Sequence, residues 1–596
     1  MLTSPEIAVI AVIVFLFVLI FATRLKTELI AIIILLTLAI TGLVTPQLAL
    51  SGFSSSVVIT LIGLFIITHA LEETGVVQWI ARQLNEFGQG SEIKLITLFM
   101  AAGAGLSLIM NNVAAGAVLL PAAVKVARIS NISVSKLLMP MSFGTLVGGM
   151  ATYLTTANIL MSELLITRGI EGLGMMDFVP VGSLIVIAGL LYMLLVGRQL
   201  LPERASLTET FNQSSLKDTY QLRDRLWQVQ VLPNSRLANK TVGDGKINAE
   251  LGLTIAAVWR KGETITIPKP NQMIYPKDEL LIVGREERIE QLLAWNNALI
   301  NDGAHSDHQE LPIEPIEIMV APRSDAINKT LSDMQLNSKS GLLAIALWRD
   351  GQSYHTDVRK MQLKVGDAIL VVGQSSDIQN LSNNSNYILP SGEYSELSIQ
   401  RHKAPYAILI TAIVLVLGIF NILSLPIAML GGAVAMVITN CLSMEQFFRA
   451  IQWRVIFLVA GMLPLSIAMT DTGLANRIGL IMVNMLDGSS PLVLIAGMVI
   501  LTMLVVQIIG GQVTALLVGP IAINAALQMG VDPRAMAVAV AMACSMAFLT
   551  PIAHPVNILM MGPGGYKFSD FFKVGIGITG VTLFAMLFGL KILWGV

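Results

Sequence analysis

Four short polar stretches interrupt otherwise apolar sequence, and their side chains have the chemistry to hold ions. Asn111-Asn112-Val113 and Thr155-Thr156-Ala157-Asn158 lie in the first third of the chain. Gly510-Gly511-Gln512 with Thr514, and Thr550-Pro551 followed by His554-Pro555-Val556-Asn557, lie near its end. Asn112 to Asn158 and Gly511 to Asn557 are both separations of about 46 residues, so the two sets read as copies. Amide, hydroxyl and carbonyl oxygens can replace the water shell of Na⁺ without adding a formal charge. Helix N-termini beside them present free N–H groups to an anion. The competing reading is interhelical hydrogen bonding, worth about 1 kcal/mol per contact. Matched spacing weighs against that for Asn112, and less so for Gln512 and Thr514, where the second half has no asparagine. His554 stays open between a packing residue, an anion contact and a proton-coupling group.

These stretches need elements that bring them to one depth. Leu95–Ala127 is apolar but broken at Asn111-Asn112, leaving limbs of about 15 residues, short of the roughly 20 that cross a hydrocarbon core. A re-entrant helical hairpin with the asparagines at its tip fits, because non-helical backbone survives at that depth only beside protein or a watery cavity. Leu492–Leu527, broken at Gly510-Gly511-Gln512, is the counterpart. Thr145–Met161 and Ser545–Met561 read as broken helices. Apolar blocks at 7–22, 27–44, 54–71, 178–197, 404–420, 422–441, 453–470 and 573–594 supply the spans around them. Glu73-Thr74-Gly75 is echoed by Asp471-Thr472-Gly473, Pro121 by Pro520, and Met176-Asp177-Phe178 by Ser569-Asp570-Phe571. The fold class is therefore an α-helical polytopic membrane protein, built from two inverted five-span repeats, each with a re-entrant hairpin and a broken helix.

Composition agrees: 54% of the 596 residues are hydrophobic and 13% charged. A net charge of −1 points to no nucleic-acid partner. Cys441 and Cys544 lie in or beside apolar runs without metal spacing and read as core residues. Met1–Thr23 has no basic residue before its apolar run, so it reads as the first span and not as a signal peptide. With the N-terminus outside and five crossings per half, about fifteen Lys and Arg fall inside, among them Arg24, Arg82, Lys136, Arg204 and Lys403. About four fall outside: Arg168, Arg477, Arg534 and Lys591. Five is odd, so the halves are inverted, both termini are outside, and residues 201–403 are cytoplasmic. That central segment repeats in turn. Asn239-Lys240-Thr241 returns as Asn328-Lys329-Thr330, and the run Lys277–Gly284 returns as Gly366–Gly373, both offset by about 89 residues. Each copy reads as a small α+β unit. No Walker loop and no dinucleotide-binding glycine motif is present, which argues against an ATPase or another enzyme. Nor is there a potassium-channel filter, which weighs against a ligand-gated channel.

The polar stretches, with Phe548-Leu549-Thr550-Pro551 and Gly562-Pro563-Gly564-Gly565-Tyr566, resemble the divalent anion:sodium symporter family of the ion transporter superfamily, over nearly the whole chain. The central pair, 201–300 and 301–403, resembles the RCK-C domains inserted in that family's bacterial branch, between membrane repeats 1–200 and 404–596. The resemblance implies a secondary carrier of a sulfate-like oxyanion or a dicarboxylate, moved with Na⁺ by an elevator-like shift in a homodimer of the bacterial inner membrane. It implies cation ligands at Asn112, Asn158, Gly511 and Asn557. Substrate contacts are implied at Asn111, Asn112, Val113, Thr155, Thr156, Gln512, Thr514, Thr550, Pro551 and His554, and a regulatory nucleotide on the RCK-C-like pair. Gly510-Gly511-Gln512 departs from the family's second tip tripeptide, so coupling to protons, or none, is the alternative.

The cytoplasmic placement is testable. A single cysteine replacing Ser338 should stay shielded from an impermeant thiol reagent in intact cells, and labelling from the periplasmic side would refute it.

Overall fold

The computed structural model describes residues 3–203 and 401–596, apart from 24, 77–78, 80–90, 131, 421 and 486–489, and in the central segment the strands, helices and connections named below. Arg24, Arg82, Arg204 and Ser338 lie outside the described residues.

The first half runs α1 (Ser4–Ala22), α2 (Thr27–Ile40), a short helix Pro46–Ser51, α3 (Ser56–Glu73), α4 (Glu92–Ser107), α5 (Asn112–Ile129), α6 (Ser135–Met150), α7 (Thr156–Ile166) and α8 (Met175–Tyr192). The second half runs α9 (Ala404–Ile419), α10 (Leu425–Ile438), a short helix Met444–Ala450, α11 (Trp453–Asp471), α12 (Leu474–Met485), α13 (Pro491–Ile509), α14 (Gly511–Met529), α15 (Pro533–Ala543), α16 (Pro555–Met561) and α17 (Phe568–Leu593). Local chemistry sets the boundaries. Ser55 caps α3 by accepting from Val58 N–H, and α13, α15 and α16 open with a proline whose missing N–H costs nothing there. α2 and α10 stop short of the apolar blocks that contain them because Gly42 (φ 71°) and Asn440 (φ 54°) turn left-handed just past each end.

Among the described residues seven helices are long and apolar enough to cross a membrane. Two of them are α13 and α14, each 19 residues. The length argument for re-entrancy therefore does not reach the second hairpin, whose tip is marked instead by Gly510. Its φ of 78° and ψ of 162° belong to a region open essentially to glycine alone.

The halves lock together through aromatic and polar contacts between α6, the break before α16, the loop before α17, and α17 itself. Phe143 meets Phe548 edge-on at 5.2 Å and Phe571 at 6.3 Å. The Tyr566 hydroxyl donates to the Ser135 carbonyl and accepts from Met139 N–H at 2.8 Å. α4 and α6 approach so closely that a Cβ on Gly148 would fall 2.2 Å from the Ala104 carbonyl oxygen. At one end Arg534 pairs with Asp177 at 2.8 Å and Glu171 at 3.0 Å, and Arg168 donates to Thr470 at 2.9 Å. Arg477 holds Glu6 at 2.7 Å. At the other, Lys136 binds Glu92 at 2.9 Å and also Glu203, while Glu73 accepts from Gln446 at 2.8 Å. Glu163 accepts from the Ser56 hydroxyl at the start of α3.

The central segment forms two antiparallel sheets. The first contains β1 (Leu226–Val231), β3 (Thr254–Arg260), β4 (Glu263–Thr266), β6 (Glu279–Val283) and β7 (Ala298–Ile300), with β2 (Lys240–Thr241) and β5 (Met273–Ile274) paired beside it. The second contains β8 (Glu314–Val320), β9 (Leu343–Arg349), β10 (Gln352–Tyr354), β11 (Ala368–Gly373) and β12 (Tyr387–Ile388). Strand orders β4-β3-β6-β1-β7 and β10-β9-β11-β8-β12 are the same order. The Arg260–Asp278 bridge, at 2.9 and 2.7 Å, recurs as Arg349–Asp367 at 2.8 and 2.5 Å. Asn239 (φ 60°) and Asn328 (φ 64°) make the same left-handed turn. Leu343, Ala346, Leu370 and Val372 pack against Ala256, Ala257 and Leu281, so the two sheets share a core.

Replacing Tyr566 by Phe strands the Ser135 carbonyl and Met139 N–H in a buried seam. The expected cost is about 2 kcal/mol, seen as a lower thermal midpoint in detergent.

Candidate functional site

A helix that stops inside an apolar layer leaves backbone groups that must be satisfied locally. In the first half the break falls between α6 and α7, and Asn158 spans it. Its Nδ2 donates to the Gly149 carbonyl at 3.3 Å and to the Thr152 carbonyl. Thr152 Oγ1 donates to the Leu108 carbonyl at 2.9 Å, tying the break to the tip of the α4–α5 hairpin. At that tip Asn111 Oδ1 accepts from Val113 N–H at 2.8 Å and so begins α5. Asn112 follows, buried, with its amide against Gly149: a Cβ there would fall 2.7 Å from Oδ1 and 2.9 Å from Nδ2. Glycine at 149 is what admits this side chain.

The first-half arrangement leaves oxygens unused. Asn112 Oδ1, Asn158 Oδ1, Thr155 Oγ1 and Ser107 Oγ are all buried with no hydrogen-bond partner. Each such group costs about 1–3 kcal/mol if left unpaired in a dry interior, a cost that a bound ligand would offset. Neutral amide and hydroxyl oxygens suit a hard monovalent cation, and the set fits Na⁺. Thr155 and Thr156 are the N-cap and first residue of α7, whose amide end is thus free to meet an anion.

In the second half the corresponding asparagine has both ends engaged, while Gln507 of α13 donates to the Met546 carbonyl at 2.9 Å and leaves its own Oε1 buried without a partner. Asn557 Nδ2 donates to the Ala547 carbonyl at 2.7 Å and the Thr550 carbonyl at 3.4 Å. Its Oδ1, however, accepts from the Ser142 hydroxyl at 2.6 Å, across from α6. Gly511 packs where a Cβ would lie 2.5 Å from the Cys544 carbonyl oxygen, so no asparagine fits at that tip without a shift. Thr514 is buried and donates to the Gly510 carbonyl at 2.7 Å, while Gln512 is half-buried in the first turn of α14. Thr550 Oγ1 accepts from Ala553 N–H, where Pro551 opens a short 3₁₀ turn. His554 Nδ1 accepts from Val556 N–H at 3.3 Å, which makes the imidazole the N-cap of α16.

The two halves supply one region. Gly116 of α5 sits against Val556 and Met560 of α16, and Gly519 of α14 against Leu164 and Met161 of α7. Each hairpin thus lies on the other half's broken helix. Ser107, Ser142, Gly149 and Thr152 are the residues that sequence reasoning missed. A hydroxyl in the apolar run of α6 was the available signal for Ser142, with the matching α15 rich in alanine and without a hydroxyl.

A family model described as a citrate transporter (CitMHS) matches residues 17–543. The chain is 30% identical over 599 residues to "Uncharacterized transporter sll0640" of Synechocystis sp. (strain ATCC 27184 / PCC 6803 / Kazusa), covering 98% of this chain and 97% of that one. It is 30% identical over 587 residues to "Uncharacterized transporter YfbS" of Escherichia coli (strain K12), covering 94% and 95%. To "Sodium/sulfate cotransporter 2" of Chlamydomonas reinhardtii it is 23% identical over 355 residues, covering 55% of this chain and 38% of that one. With a family match across most of its length, and helices suited to crossing a membrane many times, the chain belongs to the citrate transporter (CitMHS) family of membrane anion transporters.

Proposed function

We propose that this protein is a secondary active carrier that couples uptake of a small divalent anion, a sulfate-like oxyanion or a dicarboxylate, to Na⁺. The observation that carries the reading is the set of buried, unpartnered oxygens at the first break: Asn112 Oδ1, Asn158 Oδ1 and Thr155 Oγ1. A cation held there places positive charge beside the amide ends of α5 and α7, and an anion arriving next is drawn by both. The naming of a Chlamydomonas relative as a sodium/sulfate cotransporter supports the same pairing of ions. Coupling follows because neither site is complete alone.

In this reading the second-half site adds no second sodium. Asn557 has given its carbonyl oxygen to Ser142, and Gly511 brings no side chain. His554 is engaged as a helix cap through Nδ1, which favours sodium over proton coupling. The inverted repeats and cytoplasmic module rest on the charge count, and two ion pairs support them. Arg477, counted outside, pairs with Glu6 near the N-terminus, and Lys136, counted inside, pairs with Glu203 at the entry to the central module. An elevator-like shift of the hairpins and broken helices against a dimeric scaffold of α1–α3 and α9–α11, in a bacterial inner membrane, completes the proposal. The two repeated α+β units are RCK-C-like and bind a regulatory nucleotide.

Radiolabelled sulfate, succinate and citrate uptake into proteoliposomes, with and without an inward Na⁺ gradient, tests the function. Sodium should drive uptake of at least one of these with a Hill coefficient of about one, because one cation site is open. Asn112→Ala should abolish gradient-driven uptake in a folded, inserted protein, and near-normal uptake would sink the assignment. A steep sodium dependence surviving Gln512→Ala and Thr514→Ala would refute the single-site part alone.

A further inference from the structure

The module between the halves is more than a neighbour of the transport machinery. Gly366, at the turn before β11, has φ 81° and its carbonyl oxygen faces Gly562, where a Cβ would fall 2.6 Å away. A Cβ on Gly366 would in turn lie 3.3 Å from the Ile558 carbonyl oxygen. Ile558 and Gly562 are the body and the C-cap of α16, the seven-residue helix that carries Asn557. The sheet beneath the turn divides its side chains accordingly. Ile318, Ile369 and Val371 fill the unit's own core, whereas Met319 and Ala368 are buried in the core of the membrane part. The entry to the module is fastened to the same part, since Ser135 Oγ donates to the Pro202 carbonyl at 2.5 Å and Lys136 binds Glu203.

From this contact we infer that the second α+β unit controls the transport site through the turn at Gly366, seated on the far end of α16, whose flank packs on α5 at Gly116. A helix of seven residues is about 10 Å long and is held at its near end by His554 and by the strap from Asn557. Displacing its far end tilts the whole element, and the Ser142–Asn557 hydrogen bond lies on it. Whatever binds the module and moves this turn therefore shifts ion affinity, and ion binding shifts the module's affinity by the same factor. The inference rests on the carrier reading for its transport readout, but the contact itself does not.

Paired substitutions Gly366→Cys and Gly562→Cys test the seat in full-length protein, with the buried Cys441 and Cys544 left in place. Mild oxidation should remove two thiols from maleimide labelling. It should also shift half-saturating Na⁺ or anion concentration, or uptake rate, at least about fivefold, reversed by reductant. Gly562→Ala, which drives a methyl into the Gly366 carbonyl, should shift the same parameters without the strain of a side chain at Gly366. Gly431→Ala, with nothing within 4 Å of the new methyl, should not. Failure of the thiols to pair in folded protein would overturn the seat. Pairing with unchanged affinities and rates, or an equal effect from Gly431→Ala, would overturn the control. Sodium-dependent thermal stabilisation, measured alongside, reads the linkage even if none of the tested anions is transported, so the carrier reading and this inference fail separately.

Discussion

Everything at the centre of this protein depends on how two broken helices are mended. Stopping a helix within an apolar layer frees carbonyl and amide groups that water cannot reach there. In both halves the repair is one asparagine whose side-chain amide donates back across the gap, Asn158 to Gly149 and Thr152, Asn557 to Ala547 and Thr550. An amide side chain has two donors and an acceptor, so the donor end can mend backbone while the carbonyl end remains for another task. Serine or threonine could mend one group but would leave less to spare. The repair and the proposed ion site are thus one device, and the hairpins, glycine contacts and aromatic seam serve to hold its parts in place.

The same device ends differently in the two halves, for reasons outside the motif. Asn158 keeps its carbonyl oxygen open because α15, the helix that matches α6, offers alanine, valine and methionine but no hydroxyl. Asn557 loses its own to Ser142 of α6. The hairpin tips show a complementary exchange. Asn112 is admitted by Gly149, whereas Gly511 is required by the carbonyl of Cys544. Steric and hydrogen-bonding choices on neighbouring helices thus leave the two breaks with different sets of free oxygens.

Much of this was legible in the sequence because it is written in hydropathy and spacing. The hairpin breaks, the asparagines and the offset repeat of the central segment are all local patterns. What could not be read was which oxygens are free, since that depends on Ser142, remote from Asn557 in sequence. Re-entrancy of the second hairpin rests on its match to the first and not on length, because α13 and α14 are each 19 residues. His554 is open in sequence between a packing residue, an anion contact and a proton-coupling group, and its Nδ1 accepts from Val556 N–H as the N-cap of α16. The family assignment also moved from the symporter resemblance to the citrate transporter family, a neighbouring branch of anion carriers, without altering the fold class.

A short helix is a poor anchor and a good lever. α16 has too few residues to be stable alone, so its position is set by what touches its ends and flank. One flank is α5 at Gly116, the near end is His554, and the far end is a turn of the second α+β unit. The sheet behind that turn is braced by the Arg349–Asp367 bridge, whose aspartate also accepts from Lys364 N–H at 2.7 Å, so the turn is stiff. Stiffness on one side and marginal stability on the other is the arrangement in which a small movement of the module is transmitted instead of absorbed. The glycines at 366 and 562 allow backbone to meet backbone there, leaving no flexible side chain in between to take up the shift.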